Sequence, residues 1–344
     1  MVVKLFEETK LLGKDAFPSV VGQDSLKKGI ISALLSSRNF IIVGPPGVGK
    51  TTVAKSVATL LPTIETVEDC NYNCTKDNLV CPYCKSTKNH KFHNVSGDSR
   101  FLRVQGSPDL TVEDLFGDID PVKALKFGPA SIEAFSPGKI FKANNGVLFF
   151  DEINRAPEKL QNALLQVLQE RKVTLGSYEI DIPTNFVLIA TMNPEDINTE
   201  SLSDVLLDRF DMMYMSYPES LDLEKIIVVD NGSSIVKVKD NLLEIMISFV
   251  RMLRASKDLE KKPSVRASLG LYERSQAHAF MNKRKTTTFE DFKAIMISVL
   301  AHRIKLKPSV KYLKSPIDVI EENFNSFIAS DLVRDFGEKE GESP

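Results

Sequence analysis

The chain has 344 residues, 42% of them hydrophobic and 26% charged, which is enough apolar material for about two domains of ~150 residues each. Its 44 basic and 46 acidic residues leave a formal charge of −2, which excludes a global positive field that would hold nucleic acid or an anionic membrane. No apolar run approaches the ~18–20 residues that span a bilayer, and residues 1–14 mix charge with Leu and Phe, so a cytoplasmic protein is expected.

Short continuous apolar runs predict strands over 40–43, 101–104, 147–150, 186–190 and 212–217, buried on both faces as in a parallel sheet covered by helices. Directly after the first strand, Gly44, Pro45, Pro46, Gly47, Val48, Gly49, Lys50 and Thr51 fit G-x-x-x-x-G-K-[ST], and a helix is expected over 51–61. Gly47 and Gly49 let successive backbone N–H groups turn inward on phosphates, and the helix N-terminus adds partial positive charge. Lys50 reaches the β/γ oxygens, Thr51 can ligate Mg²⁺, and Thr52 joins the ATP-binding set.

Between that helix and the second strand lie all four cysteines, Cys70, Cys74, Cys81 and Cys84. Four soft ligands within 15 residues suffice for a closed tetrahedral Zn²⁺ site. The central spacing is shorter than the ~15–20 of common zinc ribbons, and an iron–sulfur centre, redox-active thiols and unpaired cysteines are the other readings. His90 and His93 could substitute as ligands, the other reading being surface residues.

The strand over 147–150 ends in Asp151 and Glu152. Parallel strands share one crevice at their carboxyl ends, so the pair is expected to face the phosphates, Asp151 in the Mg²⁺ shell and Glu152 polarising a water. The alternative is an acidic first turn of the next helix, expected over 157–169 with Leu160, Leu164, Leu165 and Leu168 on one face. Residues 171–183 alternate as Val173, Leu175, Ile180 and Ile182 around Gly176 and Ser177, the pattern of a hairpin. The strand over 186–190 runs into Asn193 and Pro194, where Asn193 either holds the attacking water or forms the turn that Asn-Pro favours. After Pro218 the patterns become helical, with one helix over 241–253 and another over 289–303 opened by a capping-box-like Thr288 and Asp291. The tail from Gly337 is expected to fray.

The 44–51 loop, the run Phe149, Phe150, Asp151, Glu152, the sensor-like Asn193 and the segment 206–211 around Arg209 resemble the AAA+ ATPases in order and approximate spacing. Within that family the chain is most similar to the magnesium-chelatase I subunit and its MoxR relatives, through residues 101–110, 136–143, 151–157, 190–196 and 202–211, and the likeness spans about 15–305. The resemblance implies an α/β fold: a P-loop AAA+ parallel-sheet domain over 1–218, a C-terminal helical lid domain over 219–336 and a flexible tail over 337–344. The first domain would carry a Cys-rich insert at 65–98, a Gly- and Pro-rich helix-two insert at 114–141 and the hairpin at 171–183.

The resemblance also implies a homo-oligomer, usually a hexameric ring, with ATP and Mg²⁺ at subunit boundaries. Arg209 corresponds to the arginine finger that enters the neighbour's site, the alternative being an ion pair with Asp208 or Asp211. Arg266 matches the lid's second sensor, and Val20 and Val21 lie in the segment that packs against adenine, or are simple core. A partner carrying a von Willebrand A domain, or other chelatase subunits, is implied as well. The expected function is ATP hydrolysis that remodels a protein partner in the manner of the chelatase I subunit. A MoxR-type chaperone outside tetrapyrrole metabolism is the alternative. A nucleic-acid motor is disfavoured by the charge balance, and a non-hydrolysing scaffold by the intact acidic pair.

Overall fold

The computed structural model describes residues 5–13, 16–128, 131–175, 180–194 and 202–329. The hairpin turn at Gly176 and Ser177, Glu195 and Asp196 of the family-like segment, and the tail over 337–344 lie outside the described residues. Contacts divide the chain into two units, one comprising Met1–Pro45 and Gly49–Met215, the other Pro46–Val48 and Ser216–Pro344.

In the first unit, strands β1 (Asn39–Val43), β2 (Phe101–Gln105), β3 (Gly146–Asp151), β4 (Phe186–Met192) and β5 (Phe210–Tyr214) form one sheet. Their order is β5-β1-β4-β3-β2, and every neighbouring pair is parallel. Consecutive side chains of β1 and β3 are buried, which is why these strands read as unbroken apolar runs. Leu148, Phe150, Leu188 and Ala190 share one core with Leu160, Leu164 and Val167 of the helix Glu158–Glu170. The fifth strand starts at Phe210 and stops at Tyr214, two to three residues earlier than the expected 212–217. Phe210 pairs with Asn39 and buries its ring, while Asp211 turns to Arg38 Nε at 2.9 Å; that charge interrupts the apolar pattern without interrupting the strand.

Three excursions leave this sheet. Ile64–Val67 and Phe92–Val95 pair antiparallel into an arm that encloses the cysteines. Gly117–Ile119 pairs with Phe135–Pro137, and between them the short helix Pro121–Phe127 starts on Asp120, whose carboxylate accepts from the Val122 and Lys123 amides. This helix holds Val122, Leu125 and Phe127 exposed. Lys172–Leu175 runs antiparallel to Ile180–Pro183, with Val173 opposite Ile182 and both buried.

The second unit is built from the helices Leu221–Asn231, Asp240–Ala255, Val265–Met281, Phe289–Leu300 and Pro316–Ile328. Leu242, Ile245, Met246, Phe249, Val250 and Leu253 all turn into its core, as do Phe292, Ile295, Met296, Val299 and Leu300. The rings of Phe249, Phe292 and Phe324 meet edge to face at 5.3–6.1 Å. The helix expected over 289–303 ends at Leu300 and tightens into a 3₁₀ turn over Ala301–Arg303. Glu224 is fully buried; burial opposes its charge, but Arg254 at 2.6 and 2.8 Å and Ser268 at 2.6 Å hold the carboxyl below its ordinary range. No described helix is long and apolar enough to cross a membrane.

Asp291 does more than cap its helix. Fully buried, its carboxylate accepts from the Thr288 amide at 2.8 Å, meets His278 Nδ1 at 2.6 Å and is clasped by the Arg284 guanidinium. Burial opposes ionisation, but the hydrogen bonds from Arg284, His278 and Thr288 outweigh it and hold the pKa down to about 2, from 3.8. A depressed folded-state pKa stabilises fully above pH ~4, and the contribution, on the order of 2 kcal/mol, is lost as the pH falls toward 2. Asp291→Asn is therefore expected to melt about 4–8 °C lower at pH 6 and to lose less further stability than the parent between pH 4 and 2. Thermal melts at both pH values check this, and parallel losses in the two proteins would contradict it.

Candidate nucleotide-binding and hydrolysis site

The loop over 44–50 joins β1 to the helix Lys50–Thr59. Gly47 has φ +73° and Gly49 φ +105°, conformations in which any Cβ is strained, so the two glycines are there for backbone geometry. Gly49 stands at the helix N-cap, so the first unpaired amides of the helix open onto the loop. Lys50 Nζ is held over the loop by the carbonyls of Gly44, at 2.5 Å, and Pro45, at 3.1 Å. Gly44 is buried against the sheet, whereas Pro45, Pro46, Val48, Lys50 and Thr51 are half-buried and Thr52 is exposed.

The acidic pair stands at the same end of the sheet. Gly44 N–H donates to Met192 O at the end of β4, and Ala190 of β4 lies beside Phe150 of β3. Asp151 is therefore two strand spacings, ~10 Å, from the root of the loop. Asp151 Oδ1 accepts from Thr191 Oγ1 at 2.6 Å, and its other oxygen meets Arg103 at 2.6 Å. Glu152 has φ +55°, an uncommon left-handed conformation for a side-chain-bearing residue, and Thr191 Oγ1 holds its amide at 2.9 Å. Its carboxylate accepts from Gln105 Nε2 at 3.1 Å and pairs with Arg155 at 3.2 Å. The residues after Glu152 form a short 3₁₀ turn, Ile153–Arg155, and the next α-helix begins only at Glu158. The pair is thus no first-turn cap of that helix.

Asn193 follows β4 directly and is half-buried at this strand end. Arg209 lies between the helix Asp204–Leu207 and β5, where it pairs with Asp208 at 2.5 Å; Gln169, with its amide oxygen facing the guanidinium, accepts from Arg209 Nε at 3.2 Å. Asp211 belongs to Arg38 instead. Val20 is buried and Val21 half-buried before the left-handed pair Gly22 and Gln23 that leads into the helix Asp24–Leu35. Arg266, in the second unit, is exposed at the second position of the helix Val265–Met281.

Three family models match the chain. They describe the ATPase family associated with various cellular activities (AAA), over residues 80–212, the AAA lid domain, over residues 251–323, and magnesium chelatase, subunit ChlI, over residues 16–92. The chain belongs to the AAA+ ATPases. This AAA+ chain is 28% identical over 326 residues to the magnesium-chelatase subunit ChlI homolog of Methanocaldococcus jannaschii, covering 85% of this chain and 86% of that protein. It is also 28% identical over 334 residues to the magnesium-chelatase subunit ChlI of Guillardia theta, covering 87% and 92%. Among solved structures, a chain from a model of the complex between subunits BchI and BchD of magnesium chelatase shares the fold, with a TM-score of 0.51 and 22% identity over 86% of this chain and 98% of that one. The chain is an AAA+ ATPase related to the chelatase I subunit.

Four residues around this AAA+ site went unnoticed in the sequence: Thr191, Gln105, Arg103 and Arg155. Arg103 and Gln105 alternate on an exposed face of β2, beside β3 and in register with its end, since Gln105 lies opposite Asp151. The signal was two long polar side chains at period two in a strand whose other positions are apolar.

Proposed function

We propose that the chain hydrolyses ATP in a ring, hexameric as in the family it resembles, with each site completed by a neighbouring copy, and that turnover remodels a protein partner as the chelatase I subunit does. The observation that carries this is the acidic pair: Asp151 and Glu152 stand ~10 Å from the phosphate loop, and Glu152 is held in a left-handed conformation with its amide bonded to Thr191 Oγ1 of β4. The loop fits a triphosphate, because Gly47 and Gly49 take conformations that aim backbone amides at anions and Lys50 lies above them. The Thr51 hydroxyl and the Asp151 carboxylate are hard oxygen donors suited to Mg²⁺, which when bound neutralises charge on the β- and γ-phosphates.

In this proposal Glu152 accepts the proton of the attacking water, Asn193 orients that water and Arg209 serves the adjacent copy. Residues 1–218 bind nucleotide, and residues 219–336 act as a lid whose Arg266 reports the γ-phosphate. Val21 contacts the base. The partner is a protein, of the chelatase-subunit or von Willebrand A kind, and not nucleic acid. Three observations support a protein partner: the relation to subunits that act in a chelatase assembly, the formal charge of −2, and the exposed Val122, Leu125 and Phe127 on one excursion from the sheet.

Lys50→Ala tests the nucleotide site. Loss of a charged donor to phosphate is expected to weaken ATP binding roughly 10- to 150-fold. Equilibrium titration with a fluorescent ATP analogue measures it, and unchanged affinity would contradict the assignment of the loop.

A further inference from the structure

The four cysteines stand apart from the ATP site. They belong to the arm of Ile64–Val67 and Phe92–Val95, and the turn at Tyr72 and Asn73 docks on residues 142–145, just before β3 begins. The phosphate loop and acidic pair lie at the far end of that strand, about 20 Å away. Their sulfur atoms all lie within 4.8 Å of one another, with Cys84 Sγ 3.6 Å and Cys81 Sγ 3.9 Å from Cys70 Sγ. All four are free thiols, far from the ~2.05 Å of a disulfide. Thiolates at ~2.3 Å from one tetrahedral ion stand about 3.8 Å apart, close to the 3.6 and 3.9 Å of the Cys70–Cys84 and Cys70–Cys81 pairs; a two- or four-iron cluster would spread the set further apart.

Backbone amides are aimed at the sulfurs. Val80 N–H and Cys81 N–H donate to Cys74 Sγ at 3.3 and 3.4 Å, and Cys84 N–H donates to Cys81 Sγ at 3.3 Å. Such donors disperse thiolate charge around a bound cation. Asp69 and Asn73 both take left-handed conformations, φ +59° and +46°, folding residues 70–74 tightly enough to converge two sulfurs. Cys74, Cys81 and Cys84 are buried and Cys70 half-buried, so the set is closed and leaves no open ligand position. Among the described residues, the core of this arm holds only Val67 and Val80 as buried aliphatic side chains besides the cysteines. A segment so poor in apolar burial needs a staple.

We propose that Cys70, Cys74, Cys81 and Cys84 bind one structural Zn²⁺ that fixes the 70–74 turn against the entrance to β3. The docking is specific. Asn73 Nδ2 donates to Lys142 O at 2.8 Å, Asn144 Nδ2 to Tyr72 O at 2.8 Å and Asn145 Nδ2 to Asn73 O at 3.1 Å, while the Tyr72 and Phe141 rings lie 5.1 Å apart. The ion therefore acts on the architecture of the first unit and takes no part in hydrolysis.

The full chain, purified anaerobically, is to be analysed for metals by plasma mass spectrometry. One zinc per chain is expected, retained through dialysis against EDTA and released stoichiometrically as an organomercurial titrates the four thiols. Replacement by Co²⁺ is expected to produce the intense visible bands of a tetrahedral tetrathiolate site. Cys84→Ser is expected to lose zinc, and hydrogen exchange on the wild-type chain stripped of metal separates this from misfolding: exchange should quicken in residues 64–95 while β1, β3 and β4 stay protected. A folded chain isolated without zinc and with four titratable thiols, or with iron in place of zinc, would overturn the proposal.

Discussion

Glu152→Gln is expected to bind ATP as the parent does and to lose about 10²- to 10⁴-fold in steady-state hydrolysis. The substitution keeps the volume of the side chain and its capacity to accept a hydrogen bond from Gln105 Nε2, so geometry at the end of β3 is preserved. What it removes is the carboxylate that takes a proton from water. The left-handed backbone of Glu152 is set by the Thr191 hydroxyl bonding its amide, an interaction that does not involve the substituted group. Single-turnover measurements with radiolabelled ATP should find nucleotide retained uncleaved. Turnover at the parental rate would remove Glu152 from the chemistry and leave the pair a structural feature of the strand end.

Arg209→Ala is expected to cost about 10³- to 10⁵-fold in hydrolysis by assembled protein, with ATP affinity unchanged. That loss corresponds to roughly 4–7 kcal/mol of transition-state stabilisation. Within its own chain Arg209 is engaged by Asp208 and Gln169, and Asp208 is 78% exposed. A solvent-exposed ion pair is worth ~0–1 kcal/mol. Leaving Asp208 for a neighbour's γ-phosphate therefore costs little beside what the transition state returns. In the proposed mechanism the pair with Asp208 is a resting place for the guanidinium before it serves the neighbouring copy. The readout is turnover and nucleotide binding measured on samples whose assembly is confirmed by sedimentation; a variant that assembles and hydrolyses normally would show that the Asp208 pair is all that Arg209 does.

Much of this architecture was legible because the sheet is parallel and buried. Phe40 to Val43 and Val147 to Phe150 announce themselves as strands since both faces need apolar side chains, and the loop between β1 and its helix carries its chemistry in consecutive residues. The start of β5 was misplaced because Asp211, a surface residue paired to Arg38, looks like an interruption when only hydrophobicity is followed. Thr288 and Asp291 could be recognised as a helix start from their spacing, but not the burial of Asp291 or its partners His278 and Arg284, which come from the preceding helix and turn. The polar frame around the acidic pair was hidden for a different reason. Gln105, Thr191 and Arg103 reach Asp151 and Glu152 from neighbouring strands 39 to 48 positions away along the chain, and only the strand order β4-β3-β2 brings them together.

In the proposed ring each ATP site is made by two copies of the chain, one supplying Glu152 and the other Arg209. Mixing the Glu152→Gln and Arg209→Ala proteins in equal amounts tests it most directly. Random co-assembly places an intact Glu152 opposite an intact Arg209 at about a quarter of the boundaries, so hydrolysis should reappear in the mixture although each variant alone is inactive. If rings shown to contain both variants stay as inactive as either parent preparation, the two residues do not meet across a subunit boundary.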